Sequence, residues 1–225
     1  MPSGKFIVIE GSDGSGKSTH FALLQDYFKA QGREIATYKF PQYEQPSSYF
    51  VTSYLNGKYG DANSLGAYTP SLFYALDRFE ASAAIRRDLD EGKIVLCDRY
   101  VGSNMAHQGQ KIEDKKEREA YYDWEYNLEF DMLKVPKPDL NVVLLMPALI
   151  AQELMTKRED RSYTDKKHDI HEADLNHLTR AVATYTELCQ MFPDVFAPVY
   201  CTENDALRKI DEIQQEIRHT ISSAS

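Results

Sequence analysis

Apolar and polar positions follow two rhythms along this chain. Short continuous apolar runs recur between longer stretches in which apolar residues return every three or four positions. The first rhythm predicts buried strands, the second amphipathic helices. Strands are expected at Lys5–Glu10, Glu34–Lys39, Ile94–Cys97, Leu140–Leu145 and Val195–Cys201. Helices are expected at about 17–31, 46–57, 70–91, 116–134, 147–157, 171–191 and 205–221. Strands alternating with helices are the order of an α/β protein built on a parallel sheet. Pro41, Pro70, Pro136, Pro138, Pro147 and Pro193 all fall at proposed boundaries, where a missing N–H does least harm. No repeat, low-complexity tract or linker divides the chain, so one domain over 1–225 is expected. Segment 158–170 (REDRSYTDKKHDI) stands apart: charged and nearly without apolar residues, it reads as a surface loop between two helices.

Composition narrows the class. With 42% hydrophobic and 27% charged residues, the 225-residue chain is ordinary globular material, long enough to bury a continuous core. Its net charge of −9 argues against a protein that coats nucleic acid or lies on a membrane, since either needs a basic face. Only four consecutive apolar residues, Phe6 to Ile9, open the chain, too few for a signal peptide or a membrane span. Cys97, Cys189 and Cys201 are widely spaced, show no CxxC pattern and read as buried reduced thiols. Cytoplasm is the expected compartment.

The chemistry begins at Gly11-Ser12-Asp13-Gly14-Ser15-Gly16-Lys17-Ser18, a full GxxxxGK[ST] match between a predicted strand and a predicted helix. Glycines let backbone N–H groups turn toward phosphates, and the helix N-terminus adds its positive end. Gly11 through Thr19 are thus candidate ATP-binding residues, with Lys17 bridging the β- and γ-phosphates and the Ser18 hydroxyl ligating Mg²⁺. Asp98 ends the buried strand Ile94–Cys97. In folds with such a loop, ligands sit at the carboxyl ends of strands, so Asp98 is a second candidate magnesium partner, directly or through water. The fold expected is a doubly wound, five-stranded parallel sheet flanked by helices, a P-loop NTPase with a short lid.

Further anchors lie at Phe40-Pro41, Tyr74-Ala-Leu-Asp-Arg78, Asp98-Arg99-Tyr100, Gln108-Gly109 and Pro136-Lys-Pro-Asp139. In order and spacing, over about residues 5 to 190, they resemble the thymidylate (dTMP) kinases. The residues also make chemical sense. Arg99 follows Asp98, and a guanidinium there can hold an acceptor phosphate by two hydrogen bonds. Tyr74 and Arg78, four apart, share a helix face that can stack a base and reach its edge, with Phe73 the neighbouring stacking candidate.

The resemblance implies transfer of the γ-phosphoryl of MgATP to dTMP, giving dTDP and ADP, by a homodimer associating through flanking helices that include 70–91. It places Asp13 near the acceptor 3′-hydroxyl, Phe40 and Tyr43 at the acceptor pocket and its phosphate, and Asn104 near the base, and it counts Gln108 among the substrate-binding residues. Glu172 resembles a carboxylate near the acceptor sugar. His107 stands where the family usually carries Tyr or Phe against the deoxyribose; an imidazole there either fills the space or hydrogen-bonds a ribose.

Phosphoryl transfer needs cations around the γ-phosphoryl oxygens. Some family members carry an Arg after the loop Asp, where this chain has Gly14. The charge is therefore expected from the lid at about 157–170, which offers Lys157, Arg158, Arg161, Lys166 and Lys167, with Arg158 and Arg161 preferred. His168 and His171 have a zinc-like spacing but no evident third and fourth ligands. The rival readings are another small P-loop kinase and a GTP switch. The second lacks an Asn-Lys-x-Asp box for guanine.

Overall fold

The computed structural model describes residues 4–61, 64–159 and 175–224. Five parallel strands form one sheet: β1 (Lys5–Gly11), β2 (Ile35–Lys39), β3 (Ile94–Asp98), β4 (Leu140–Leu145) and β5 (Phe196–Tyr200), in the order β2-β3-β1-β4-β5. Helices cover both faces, so both faces of the central strands are buried and those strands read as unbroken apolar runs. In β1, Phe6 and Val8 enter one core while Ile7 and Ile9 enter the other, none of them exposed to solvent. Each such side chain contributes about 1.5–3 kcal/mol of burial, which makes β1 the rigid base of whatever follows Gly11.

The helices are α1 (Lys17–Ala30), α2 (Tyr49–Leu55), α3 (Tyr68–Asp90), α4 (Val101–Gly109), α5 (Lys115–Tyr126), α6 (Ala148–Glu159), α7 (Leu175–Met191) and α8 (Ile210–Ser223). On one face β1, β3 and β4 pack with α3, α4, α5 and α7; on the other, with α1, α6 and α8. The β2–β3 and β4–β5 halves of the sheet lie on opposite sides of β1, so the order of winding reverses there. Connections leaving β1 and β3 diverge and open a crevice at their carboxyl ends, where α/β sheets bind ligands.

All five expected strands form. The helices differ from expectation in four places. Residues 46–57 split into a 3₁₀ turn at Pro46–Ser48 and α2. Helix 116–134 is α5 continued by a π-helical segment, Asn127–Met132. The start of the last helix, 205–209, belongs instead to a hairpin of β6 (Thr202–Glu203) and β7 (Ala206–Leu207). Its two turn residues, Asn204 and Asp205, have φ of 49° and 61°, the left-handed pair a tight hairpin needs. α4 was not expected at all. Its sequence, VGSNMAHQG, holds two glycines and few strong helix formers, and its formation depends on a residue from β1 described below.

Candidate active site

β1 delivers the loop from Gly11 to Gly16 directly into α1, whose N-terminus carries no side-chain cap. Thr19 and His20 N–H donate to the Gly16 carbonyl (3.0 and 3.1 Å), which leaves the Lys17 and Ser18 N–H groups without an intrahelical acceptor at the helix end. Lys17 Nζ spans the loop and donates to the carbonyls of Gly11 (2.9 Å) and Ser12 (2.7 Å). Burial pushes Lys17 down to about 8, with the Arg99 charge adding to the effect and Asp13 opposing it. Gly14 has φ 74°, and a Cβ there would lie 2.4 Å from the Ala151 carbonyl of α6. Glycine at this position is thus imposed by its left-handed φ and by the backbone of α6.

Asp98, at the end of β3, pairs in register with Ile9 of β1, so its carboxylate emerges beside the loop. Its Oδ1 is buried and has no partner, and Lys39 Nζ stands 3.9 Å from Oδ2. Ser18, in the first turn of α1, is exposed. An orphaned carboxylate oxygen and a hydroxyl suit a hard cation that takes its other ligands from phosphates and water. Among the described residues no group of three or more His, Cys, Asp or Glu side chains forms a metal site; His168 and His171 lie outside them.

Arg99 sits at the centre. One guanidinium nitrogen, Nη2, pairs with Asp13, while Nη1 donates to His107 Nε2 (2.8 Å) and Ser103 Oγ (3.3 Å). Burial alone would raise the Asp13 carboxyl, but Arg99 and then Lys17 outweigh it and hold Asp13 well below the usual carboxylate range. Since arginine only donates, His107 Nε2 carries no proton, and Nδ1–H faces His177 Nε2 at 3.4 Å. Burial, then the Arg99 charge, push His107 well below its ordinary value, so it is neutral.

Arg99 has φ 67°, a left-handed conformation that costs a side-chain-bearing residue roughly 1–2 kcal/mol. Glu10 of β1 secures it. Fully buried, Glu10 accepts from the Tyr100 and Ser103 N–H groups (both 2.9 Å), from Ser103 Oγ (2.6 Å) and from Tyr185 Oη (3.0 Å). One carboxylate therefore caps α4, fixes the turn that presents Arg99 and ties both to α7. Gly102 makes the approach possible, because a Cβ there would sit 3.0 Å from Glu10 Oε1 and 2.7 Å from the Phe196 ring.

Beyond Arg99 opens a cleft of about 210 Å³. Asp13, Phe40, Tyr43, Tyr74 and Arg78 line it, together with Arg99, Asn104, His107 and Gln108. These positions, separated by up to 95 residues in sequence, share one wall system; Glu172, Arg161, Lys166 and Lys167 lie outside the described residues, as does the Arg158 side chain. Of the two stacking candidates, Tyr74 faces the cleft, whereas Phe73 stacks on Phe50 (5.6 Å). Asp77 holds the loop carrying Phe40 and Tyr43 by accepting from the Gln42 N–H (2.8 Å) and Ser47 Oγ. Pro136-Lys-Pro-Asp139 acts elsewhere: Asp139 accepts from the Phe6 N–H (2.6 Å) and braces the start of β1.

Arg78 is more committed than its sequence position suggests. Nε (2.9 and 3.0 Å) and Nη2 are bound by Glu129 of the π-helical segment, and Nη1 reaches the Tyr100 carbonyl at 3.4 Å. Burial opposes its charge, but Glu129 and Glu125 overturn this and raise the guanidinium further. Of five N–H groups three are bonded in this way, and two remain, one on Nη1 and one on Nη2, the latter nitrogen 3.7 Å from Glu125 Oε1. Sequence reasoning missed Glu10, Ser103, His177, Glu125 and Glu129. Only Glu10 left a local signal: a charge inside an otherwise apolar strand.

The thymidylate kinase family model matches residues 9–217. A thymidylate kinase of Mycobacterium tuberculosis is 35% identical over 183 residues, covering 81% of this chain and 84% of that protein. One from Plasmodium falciparum is 29% identical over 214 residues, covering 95% and 88%. Among solved structures, a thymidylate kinase from Candida albicans superposes with a TM-score of 0.68 at 21% identity, covering 98% of this chain and 92% of that one, which supports the fold.

Proposed function

The chain belongs to the thymidylate kinase family, and on that premise we propose that it transfers the γ-phosphoryl group of ATP to dTMP, giving dTDP and ADP. The observation that supports the acceptor assignment is the cleft beside the phosphate loop, whose lining includes Tyr74, Arg78, Arg99 and Asn104. The loop N–H groups and Lys17 hold the ATP phosphates. Asp98 and Ser18 would hold Mg²⁺, which would supply charge neutralisation to the ATP phosphates.

Arg99 holds the acceptor phosphate in line. Its orientation is set from two sides, by Asp13 on the donor loop and by His107 on the acceptor wall. No general base is needed, because the second ionisation of a monophosphate has a pKa of about 6. The terminal oxygen is already a nucleophile at neutral pH, so catalysis reduces to alignment and charge.

Tyr74 stacks on the base. Asn104 and Arg78 present an acceptor and a donor, the complement of an imide N–H beside a carbonyl. We assign the remaining cations to Arg158 and Arg161. Three free buried thiols accord with a reducing compartment, the cytoplasm, and no described helix is long and apolar enough to cross a membrane.

A panel of monophosphates with MgATP tests the reading. dTMP should give the highest kcat/KM, with dUMP the nearest competitor. A preference for AMP, GMP or CMP would overturn it.

A further inference from the structure

Behind the cleft wall lies a buried acidic pair that the phosphoryl transfer does not use. Glu125 of α5 and Glu129 of the π-helical segment are both fully buried, and neither lines the cleft. Glu129 binds Arg78. Glu125 Oε1 stands 3.7 Å from Arg78 Nη2 and accepts from Asn104 Nδ2 at 2.5 Å. The same Nδ2 also donates to the Ser71 carbonyl of α3 at 3.1 Å. A backbone carbonyl can only accept, and so does Glu125 Oε1, which leaves the amide one orientation. Nδ2 turns inward with both protons spent. Oδ1, buried and without a partner, is the polar atom Asn104 has left for a ligand.

We propose that Glu125 is a positioning residue that locks the Asn104 amide with its oxygen available to the bound base, and so selects a base with a ring N–H over one with a ring-nitrogen acceptor. This rests on the dTMP reading. Thymine and uracil present N–H beside a carbonyl; cytosine presents a bare nitrogen beside an amino group. An amide free to rotate would offer either face. A locked one offers only an acceptor, and a site built to receive a donor rejects the analogue that lacks it.

The protonation of Glu125 fits the role. Burial and the Glu129 charge push its carboxyl well above the ordinary range, outweighing Arg78. With Oε1 accepting from Asn104, the proton belongs on Oε2, and a hydrogen bond with the Glu129 side chain adds to the upward push. The group then resembles a primary amide in shape and polarity, with the carbonyl toward Asn104.

The test is the ratio of kcat/KM for dTMP to that for dCMP. Glu125→Gln, which keeps an acceptor toward Asn104, should hold the ratio within about threefold, and Glu125→Leu should lower it about tenfold or more, the scale of one lost hydrogen bond. A purely structural role would reduce both substrates alike and leave the ratio unchanged, which overturns the proposal. If Glu125→Leu does not melt cooperatively, Glu125→Asp replaces it, withdrawing the carboxyl by one methylene. A lowered ratio supports the lock, and an unchanged one overturns it. A wild-type protein that prefers dCMP would overturn the substrate reading itself, whereas a dTMP-preferring wild type with unresponsive variants removes only Glu125.

Discussion

Lys17 is held in a place that costs it charge. Burial and Arg99 bring its pKa to about 8, from an ordinary 10.5, before any phosphate arrives. The sign of the consequence differs for activity and stability. Between about pH 8 and 10.5 the unfolded chain keeps the Lys17 proton and the folded chain has lost it. The unfolded state binds more protons, so this residue makes the fold gain stability as pH rises through that window. Activity goes the other way, because only the ammonium attracts the ATP phosphates. The profile of kcat/KM for ATP, which reports the free enzyme, should fall on its alkaline side with an apparent pKa near 8. A profile flat to pH 10, about two units beyond, would show that Lys17 keeps its proton in the empty loop. Much of this centre was legible residue by residue, since Asp13, Lys17, Asp98 and Arg99 sit in short motifs with fixed neighbours. What the sequence hid were partners. Glu129 lies 51 positions from Arg78 and Glu10 lies 93 from Ser103, and no local pattern couples such pairs.

At the scale of elements, α6 limits what side chain the phosphate loop can carry. α6 passes so close to the loop that Gly14 meets the Ala151 carbonyl, and φ 74° disfavours any side chain there as well. An arginine cannot be added at 14 without moving a helix. A cation for the γ-phosphoryl is then expected from elsewhere, and α6 itself carries Arg158, three positions before Arg161 in the sequence. Replacing both, Arg158→Ala with Arg161→Ala, should lower kcat by about 10³-fold or more, the scale of an arginine finger, while the Kd for dTMP stays within a few-fold. Adding Gly14→Arg to that variant should not restore turnover. Steady-state kinetics and dTMP titration together decide the point: a change confined to dTMP affinity would remove the lid from catalysis. Elements also mark where sequence reading stops. The central strands β1, β3 and β4 were legible because both their faces are buried. α4 was not, because its helicity comes from the Glu10 carboxylate capping Tyr100 and Ser103 rather than from its own residues. The β6–β7 hairpin was legible in principle, since Asn204-Asp205 is turn chemistry, but the apolar periodicity of α8 overran it.

At the scale of the whole molecule, one exposed apolar stripe asks for a cover. Tyr68, Leu72, Leu76 and Phe79 follow one another at spacings of four, four and three along α3, and each is more than 40% exposed. Such spacing puts them on one helix face, opposite the face where Ala75, Arg78, Ala81, Ser82 and Ile85 are buried. Isolated exposed apolar residues are ordinary, whereas a contiguous stripe marks a surface that is covered in the assembly. We assign its cover to the α3 of a second copy, the arrangement that gives each copy the same patch. Arg78 and Tyr74 sit on this same helix, so the dimer would brace the acceptor wall from behind. Leu76→Glu with Phe79→Glu places four like charges in a two-fold interface and should convert the protein to monomer in sedimentation velocity. KM for dTMP should rise in step, because α3 loses its support, while Lys17 and the ATP loop are untouched and KM for ATP holds. A wild-type protein that sediments as a monomer at micromolar concentration would leave the stripe uncovered and remove this explanation. A double variant that stays dimeric would place the interface on another face.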